Sequence, residues 1–81
     1  MKSQFDILKV GLDPILHFES VGRLRSLKSA ANELGLSQPA VTHSLSKLEI
    51  NLGVKLCVRS RTQFALTEAG QRLFVLSQEM K

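Results

Sequence analysis

The stretch S-L-K-S-A-A-N-E-L-G-L-S-Q-P-A-V-T-H-S-L-S-K-L-E, residues 26–49, decides the fold. Ser26 is a good N-cap, because its hydroxyl accepts a hydrogen bond from a backbone N–H that the first helical turn leaves unpaired. Leu27, Ala30, Ala31 and Leu34 then follow at spacings of three, one and three, a single apolar stripe on a helix. Gly35 supplies the left-handed residue that ends many helices. The small Ala30–Ala31 pair lets another helix approach closely. Ser37 caps a further helix after a break of two residues, and Pro39 is tolerated because it sits in the first turn. Val41, Leu45, Leu48 and Leu52 carry a second buried stripe as far as Gly53.

Outward from this pair, Asp13-Pro14 predicts a helix start, with Asp as N-cap and Pro at the first helical position. Ile15, Phe18 and Val21 continue at helical spacing with Leu16 alongside, and Gly22 is the expected stop. Residues 1–11 form an N-terminal extension that suits an extra helical turn, a short strand or a loose arm equally well. On the other side, Leu56 and Val58 alternate with Lys55, Cys57 and Arg59, and Phe64 to Leu66 is a second short extended run. A polar Ser60–Gln63 segment separates the two, so a small hairpin is expected. Thr67 caps a last helix with Glu68 in its first turn. Ala69, Leu73, Leu76 and Met80 line one side of it, Phe74 lies beside them, and the sequence stops inside it without a capping signal before Lys81.

The chain has 81 residues, enough for one small domain with a modest core. It has four Phe and neither Trp nor Tyr, so its core must be built of Leu, Val, Ile and Ala. The formal charge of +4 is unevenly placed. Between Arg23 and Arg61 seven bases meet two acids, a net of +5, whereas the two ends together hold four bases and five acids, a net of −1. A local basic field suits a polyanion, although charge alone is matched as well by a solvated face. Cys57 is the single cysteine, which excludes an internal disulfide and fits a reducing cytoplasm. Neither a signal peptide nor a membrane span is legible.

The order helix, helix, tight turn, helix, basic hairpin, helix predicts a mainly α fold: a winged helix-turn-helix with a three-helix core, a two-stranded wing and a C-terminal helix. The third helix tests it. At about 100° per residue, Val41, Leu45, Leu48 and Leu52 cluster on one side. Pro39, His43, Ser46 and Ile50 point the opposite way, with Thr42 and Lys47 flanking. That outer face is short, polar and free of acids until Glu49, as a helix entering the major groove beside phosphates requires. Gln38 can pair bidentately with adenine. Thr42 can donate, accept or touch a thymine methyl, Pro39 can touch the same methyl, and His43 can donate to guanine or to phosphate. Lys28 and Lys47 can neutralise phosphates, and the helix N-termini at Ser26 and Ser37 can take phosphate on free N–H groups. Taken singly, Gln38, Thr42 or Ser46 fits an ordinary solvated helix face better; it is the whole arrangement that points to DNA.

Residues 26–49 resemble the N-terminal DNA-binding domain of LysR-type transcriptional regulators. N-L-G-V-K-L-C-V-R at 51–59 and L-T-E-A-G at 66–70 continue the likeness in order and spacing. The resemblance implies a bacterial cytoplasmic transcription factor that binds a partly palindromic double-stranded DNA site. Its third helix would enter the major groove and its wing the adjacent minor groove, with no cofactor in this part of the protein. It also implies a domain plan: winged helix-turn-helix over 12–66, then the start of a linker helix over 67–81 whose stripe (Ala69, Leu73, Leu76, Met80) pairs two subunits. The larger effector-binding domain, where a small molecule would act, is absent from the sequence, so an excised fragment is expected, with a naturally short protein the lesser alternative. By position, Gln38, Pro39, Thr42 and His43 carry over as recognition residues and Arg59 as a wing residue, and Arg61 can share the groove contact.

The sequence departs from the family pattern at four places. His43 stands where Arg or Lys is more frequent, which makes that contact weaker or pH-sensitive. Cys57 stands where Phe is usual and reads as a small buried packing residue, with redox sensing the lesser alternative. Ser60-Arg61-Thr62-Gln63 lacks the usual wing glycine, and Lys28 replaces a hydroxyl residue. Catalysis is poorly supported: His17 lies among apolar neighbours, His43 has no carboxylate at helical spacing, and no His/Cys cluster suggests a metal. The competing function is a winged helix that docks onto a protein partner, since folds do not fix function.

Overall fold

The computed structural model describes residues 12–60 and 63–80. The expectations for residues 1–11, Arg61, Thr62 and Lys81 lie outside them. The described elements run α1 (Leu12–Leu24), α2 (Leu27–Leu34), α3 (Gln38–Leu52), β1 (Cys57–Arg59), β2 (Phe64–Leu66) and α4 (Glu68–Glu79). This is the winged helix-turn-helix that the sequence predicts. The caps form as read. The hydroxyls of Ser26, Ser37 and Thr67 accept from the N–H groups of Ser29, Ala40 and Gly70, and Gly35 and Gly53 close α2 and α3 in the left-handed region. The α2–α3 turn is fixed by the Leu36 N–H, which donates to the Ala31 carbonyl at 2.9 Å.

The core is one cluster to which every helix contributes. Ile15, Phe18 and Val21 come from α1, Ala30 and Ala31 from α2, Val41, Leu45 and Leu48 from α3, and Ala69 and Leu73 from α4; Leu56 and Cys57 join it from the edge of the wing. α1 is the central strut and packs against α2, α3 and α4. Each large apolar side chain buried this way stabilises the fold by about 1.5–3 kcal/mol, and the small alanines of α2 hold it close to its neighbours.

Four local expectations need correction. α1 begins at Leu12, so Asp13 lies in its first turn and does not cap it. Gly22 does not end α1, which continues to Leu24 before Arg25 turns the chain at φ 55°. Gly22 instead meets the Phe74 ring: a Cβ there would lie 2.7 Å from Phe74 Cδ1. The wing alternates in the opposite phase. Cys57 is buried and Val58 is 61% exposed, because the inward position next to Leu56 is taken by the next residue along the chain. The last helix ends at Glu79, with the Met80 N–H bonded back to Ser77.

The wing is a two-stranded antiparallel sheet in which Cys57 pairs with Leu66, Val58 with Ala65 and Arg59 with Phe64. Ser60 and Gln63 close it. The Ser60 N–H donates to the Gln63 carbonyl at 3.0 Å, and the Gln63 N–H donates to the Ser60 hydroxyl at 3.1 Å. At its base, the Thr67 N–H donates to the Leu56 carbonyl and its hydroxyl to the Lys55 carbonyl. α4 comes so close there that a Cβ on Gly70 would lie 1.9 Å from the Leu56 carbonyl oxygen.

Candidate nucleic-acid interface

α3 presents its predicted outer face. Gln38 and Pro39 open the helix and are exposed, as are His43 and Lys47, and Thr42 and Ser46 are half-buried. Ile50, at the far end of the same face, is 77% exposed. The opposite side is fixed by core packing and by a polar tie: His17 on α1 and Ser44 on α3 approach to 2.9 Å (Nδ1 to Oγ). That contact adjoins His43 and sets the helix against the domain body. Ser37 is exposed, and its hydroxyl is engaged by the Ala40 N–H at 3.2 Å, so an anion there would meet the remaining N–H groups of the first turn.

Two acids sit in the basic central segment, and neither reaches this face freely. Glu49 is 5% exposed and points into the domain, where it accepts from the Leu56 N–H at 2.7 Å and the Cys57 N–H at 3.4 Å. Lys55 lies 4.0 Å from its other oxygen. Glu33 accepts from Arg23 and Ser20. Arg23 bonds Glu33 and Glu19 together, and these carboxylates hold its guanidinium well above the usual arginine range. Arg23 is therefore a brace between α1 and α2, and the cations of the described central segment outside any ion pair are Arg25, Lys28, Lys47 and Arg59.

Three of those four line one cleft of about 360 Å³ between the start of α2, the start of α3 and the wing. Arg25, Lys28, Gln38, Arg59 and Phe64 form its walls. Arg59 is half-buried, and its Nη1 donates to Cys57 Sγ at 2.9 Å. The Cys57 thiol is pushed up by burial, with the Glu49 charge acting the same way and Arg59 and Lys55 opposing it. A protonated, buried thiol is a poor nucleophile, in keeping with the packing role. Sequence reasoning missed Arg25, Glu49 and Phe64 as parts of this region. The signal for Glu49 was its place beside Leu48 on the inner side of α3; for Arg25 and Phe64, far apart in sequence, there was none.

Residues 12–71 match the family described as bacterial regulatory helix-turn-helix protein, lysR family. The chain belongs to the LysR family. Within the family it is 46% identical over 63 residues to the HTH-type transcriptional regulator TdcA of Escherichia coli, covering 78% of this chain and 20% of that protein. To the RuBisCO operon transcriptional regulator of Allochromatium vinosum it is 43% identical over 67 residues, covering 83% of this chain and 22% of the relative. The chain thus spans about a fifth of the length of the relatives it matches. Among solved structures, the CbnR DNA-binding domain in complex with DNA superposes with a TM-score of 0.82 at 30% identity, over 86% of this chain and 80% of that one. Corynebacterium glutamicum OxyR superposes at 0.83 with 27% identity, over 96% of this chain and 23% of that one. The LysR match covers both helices of the motif and the wing, so these residues form a LysR-type helix-turn-helix DNA-binding domain. The family is one of transcriptional regulators, not of enzymes.

The expected pairing stripe on the last helix of this LysR domain needs correction. Ala69 and Leu73 are buried in the domain's own core, because α4 packs back onto α1. Leu76 and Met80, farther along the same side, are each 36% exposed, and Val75 is exposed beside them.

Proposed function

We propose that this domain binds double-stranded DNA sequence-specifically in a bacterial cytoplasmic regulator, with α3 in the major groove and the wing along the adjacent minor groove. The observation that supports this most is the acid-free outer face of α3: Gln38, Pro39 and His43 are exposed and Thr42 is half-buried beside them, while Glu49 is drawn inside by the wing. Gln38 and Thr42 read base edges, and Pro39 offers an apolar contact to a thymine methyl. His43 donates to guanine or phosphate, Ser37 and Ser46 make neutral polar contacts, and Lys28, Lys47 and Arg59 neutralise phosphates. Arg61, which lies in sequence between the two strands, adds a further cation. Residues 12–66 are the DNA-binding unit, and α4 after them serves dimerisation. Two subunits meet through the exposed apolar end of α4 at Leu76 and Met80 and place their α3 helices on the halves of a partly palindromic site. A small-molecule effector acts on a separate domain. The chemistry is binding without catalysis or cofactor.

Selection of duplexes from a random pool, followed by salt titration of the winner, tests this. Lys28, Lys47, Arg59 and Arg61 together predict a slope of log K against log salt of roughly −3 to −4. Arg59→Ala should make that slope shallower by about 1. Flat or absent duplex binding would instead favour a protein partner for the same face. Sedimentation of the bound and free chain tests the pairing, and a strictly monomeric chain on a palindromic duplex would remove it.

A further inference from the structure

Arg25 is the one described non-glycine residue held in the left-handed region, at φ 55°. It forms the turn between α1 and α2. For a residue with a Cβ this conformation is costly and persists where the surroundings hold it. Its backbone N–H closes α1 by donating to the Val21 carbonyl at 2.7 Å, and from there its side chain reaches the wing: Arg25 Nη2 donates to the Phe64 carbonyl on β2 at 2.9 Å, and its guanidinium lies 5.7 Å from the Phe64 ring centroid. The contact spans 39 residues of sequence. At the other end of the wing, Glu49 on α3 holds the start of β1 through the Leu56 and Cys57 N–H groups. The hairpin is therefore tied to the helix-turn-helix on both strands, at β1 by α3 and at β2 by the turn before α2.

We propose that Arg25 is a positioning residue for duplex recognition: from its left-handed turn it latches β2 and fixes the angle of the wing relative to α3. The proposal rests on the DNA-binding reading above. A duplex can be gripped at two grooves at once only if the two contact surfaces keep one relative geometry; a wing free to swing must be ordered on binding, which weakens affinity. Arg25 also lines the cleft with Lys28, Gln38 and Arg59, so the latch holds those groups around one space.

Arg25→Gly separates latch from fold, because glycine adopts the left-handed turn without strain. The thermal midpoint should stay level or rise, backbone amides of β2 should exchange faster in the free protein, and affinity for the selected duplex should fall roughly three- to tenfold. Arg25→Lys keeps the charge but loses the planar group that stacks and donates together, and should fall between the two. Parent-level exchange at β2 in Arg25→Gly overturns the latch, and any affinity loss then belongs to charge alone. A fall in thermal midpoint that accounts for the affinity loss overturns it too, as does unchanged affinity. If the parent chain itself binds no duplex while β2 exchange still rises in Arg25→Gly, it is the DNA reading that fails, and the recognition role of Arg25 with it.

Discussion

Adding one methyl group to Gly70 should be among the most damaging single changes in this domain. A glycine inside a helix ordinarily costs about 0.5–1 kcal/mol relative to alanine, so Gly70→Ala in α4 would on propensity alone stabilise the fold. The tertiary structure reverses the sign. The new Cβ would lie 1.9 Å from the Leu56 carbonyl oxygen and 2.9 Å from its carbon. Carbon–oxygen contacts settle at about 3.3–3.6 Å, so α4 and the base of the wing must separate by well over an ångström. That motion pulls on the two bonds that join them, Thr67 N–H to the Leu56 carbonyl at 3.0 Å and the Thr67 hydroxyl to the Lys55 carbonyl at 2.6 Å. Overpacking of this kind costs about 1–3 kcal/mol and two hydrogen bonds contribute about 1 kcal/mol each. After the helix-propensity gain, a net loss of about 2–4 kcal/mol remains. For a domain of this size each kcal/mol moves the thermal midpoint by about 4–8 °C, so a drop of roughly 10–30 °C is expected in melts followed by circular dichroism. Gly22→Ala is the internal control: the nearest atoms its Cβ would meet belong to the half-buried Phe74 ring, a side chain able to turn aside, so its penalty should be clearly smaller. A Gly70→Ala protein that melts with or above the parent would refute the close approach of α4 to the wing.

Glu49→Ala should destabilise by about 2–4 kcal/mol, since it strands the buried Leu56 and Cys57 N–H groups; urea denaturation measures it, and a loss below 0.5 kcal/mol, well under the ~1 kcal/mol of one ordinary hydrogen bond, would show those donors find other partners. Burial raises the Cys57 thiol, so above the ordinary thiol value the unfolded chain releases a proton that the folded chain keeps. The contribution is fully present below that value and is lost as pH rises through the folded one. Stability should therefore decline with alkaline pH more steeply in the parent than in Cys57→Ala, and parallel curves would count against the burial. Gln38→Ala should relax preference at one base pair of the selected site at a cost of roughly 1–3 kcal/mol, read from competition with single-base variants; equal weakening on every sequence would place Gln38 outside base readout.

Much of the domain is legible in its sequence because its punctuation is local. Ser26, Gly35, Ser37, Gly53 and Thr67 each satisfy backbone groups within a few residues of themselves, so the helix starts and stops they mark fall where expected. The 3.6-residue stripes place the core just as directly, since Val41, Leu45 and Leu48 need only a period to be recognised. Gly22 misleads because a glycine reads alike whether it ends a helix or admits a ring from another one. Cys57 and Val58 mislead because a three-residue strand is too short for its alternation to reveal its phase.

The outer face of α3 is legible in the sequence: the helical period puts Pro39, His43, Ser46 and Ile50 opposite the buried stripe, with Thr42 and Lys47 flanking. Tertiary structure alone decided which charges remain free to meet a duplex. Glu49 turns inward because two wing N–H groups need an acceptor, and Arg23 is held by Glu19 and Glu33 across two helices. Leu73 is claimed by the core, leaving Leu76 and Met80 partly exposed. Arg25 reaches the wing over 39 residues of chain. Contacts between distant segments follow from how the helices stack, and no local pattern of residues encodes them.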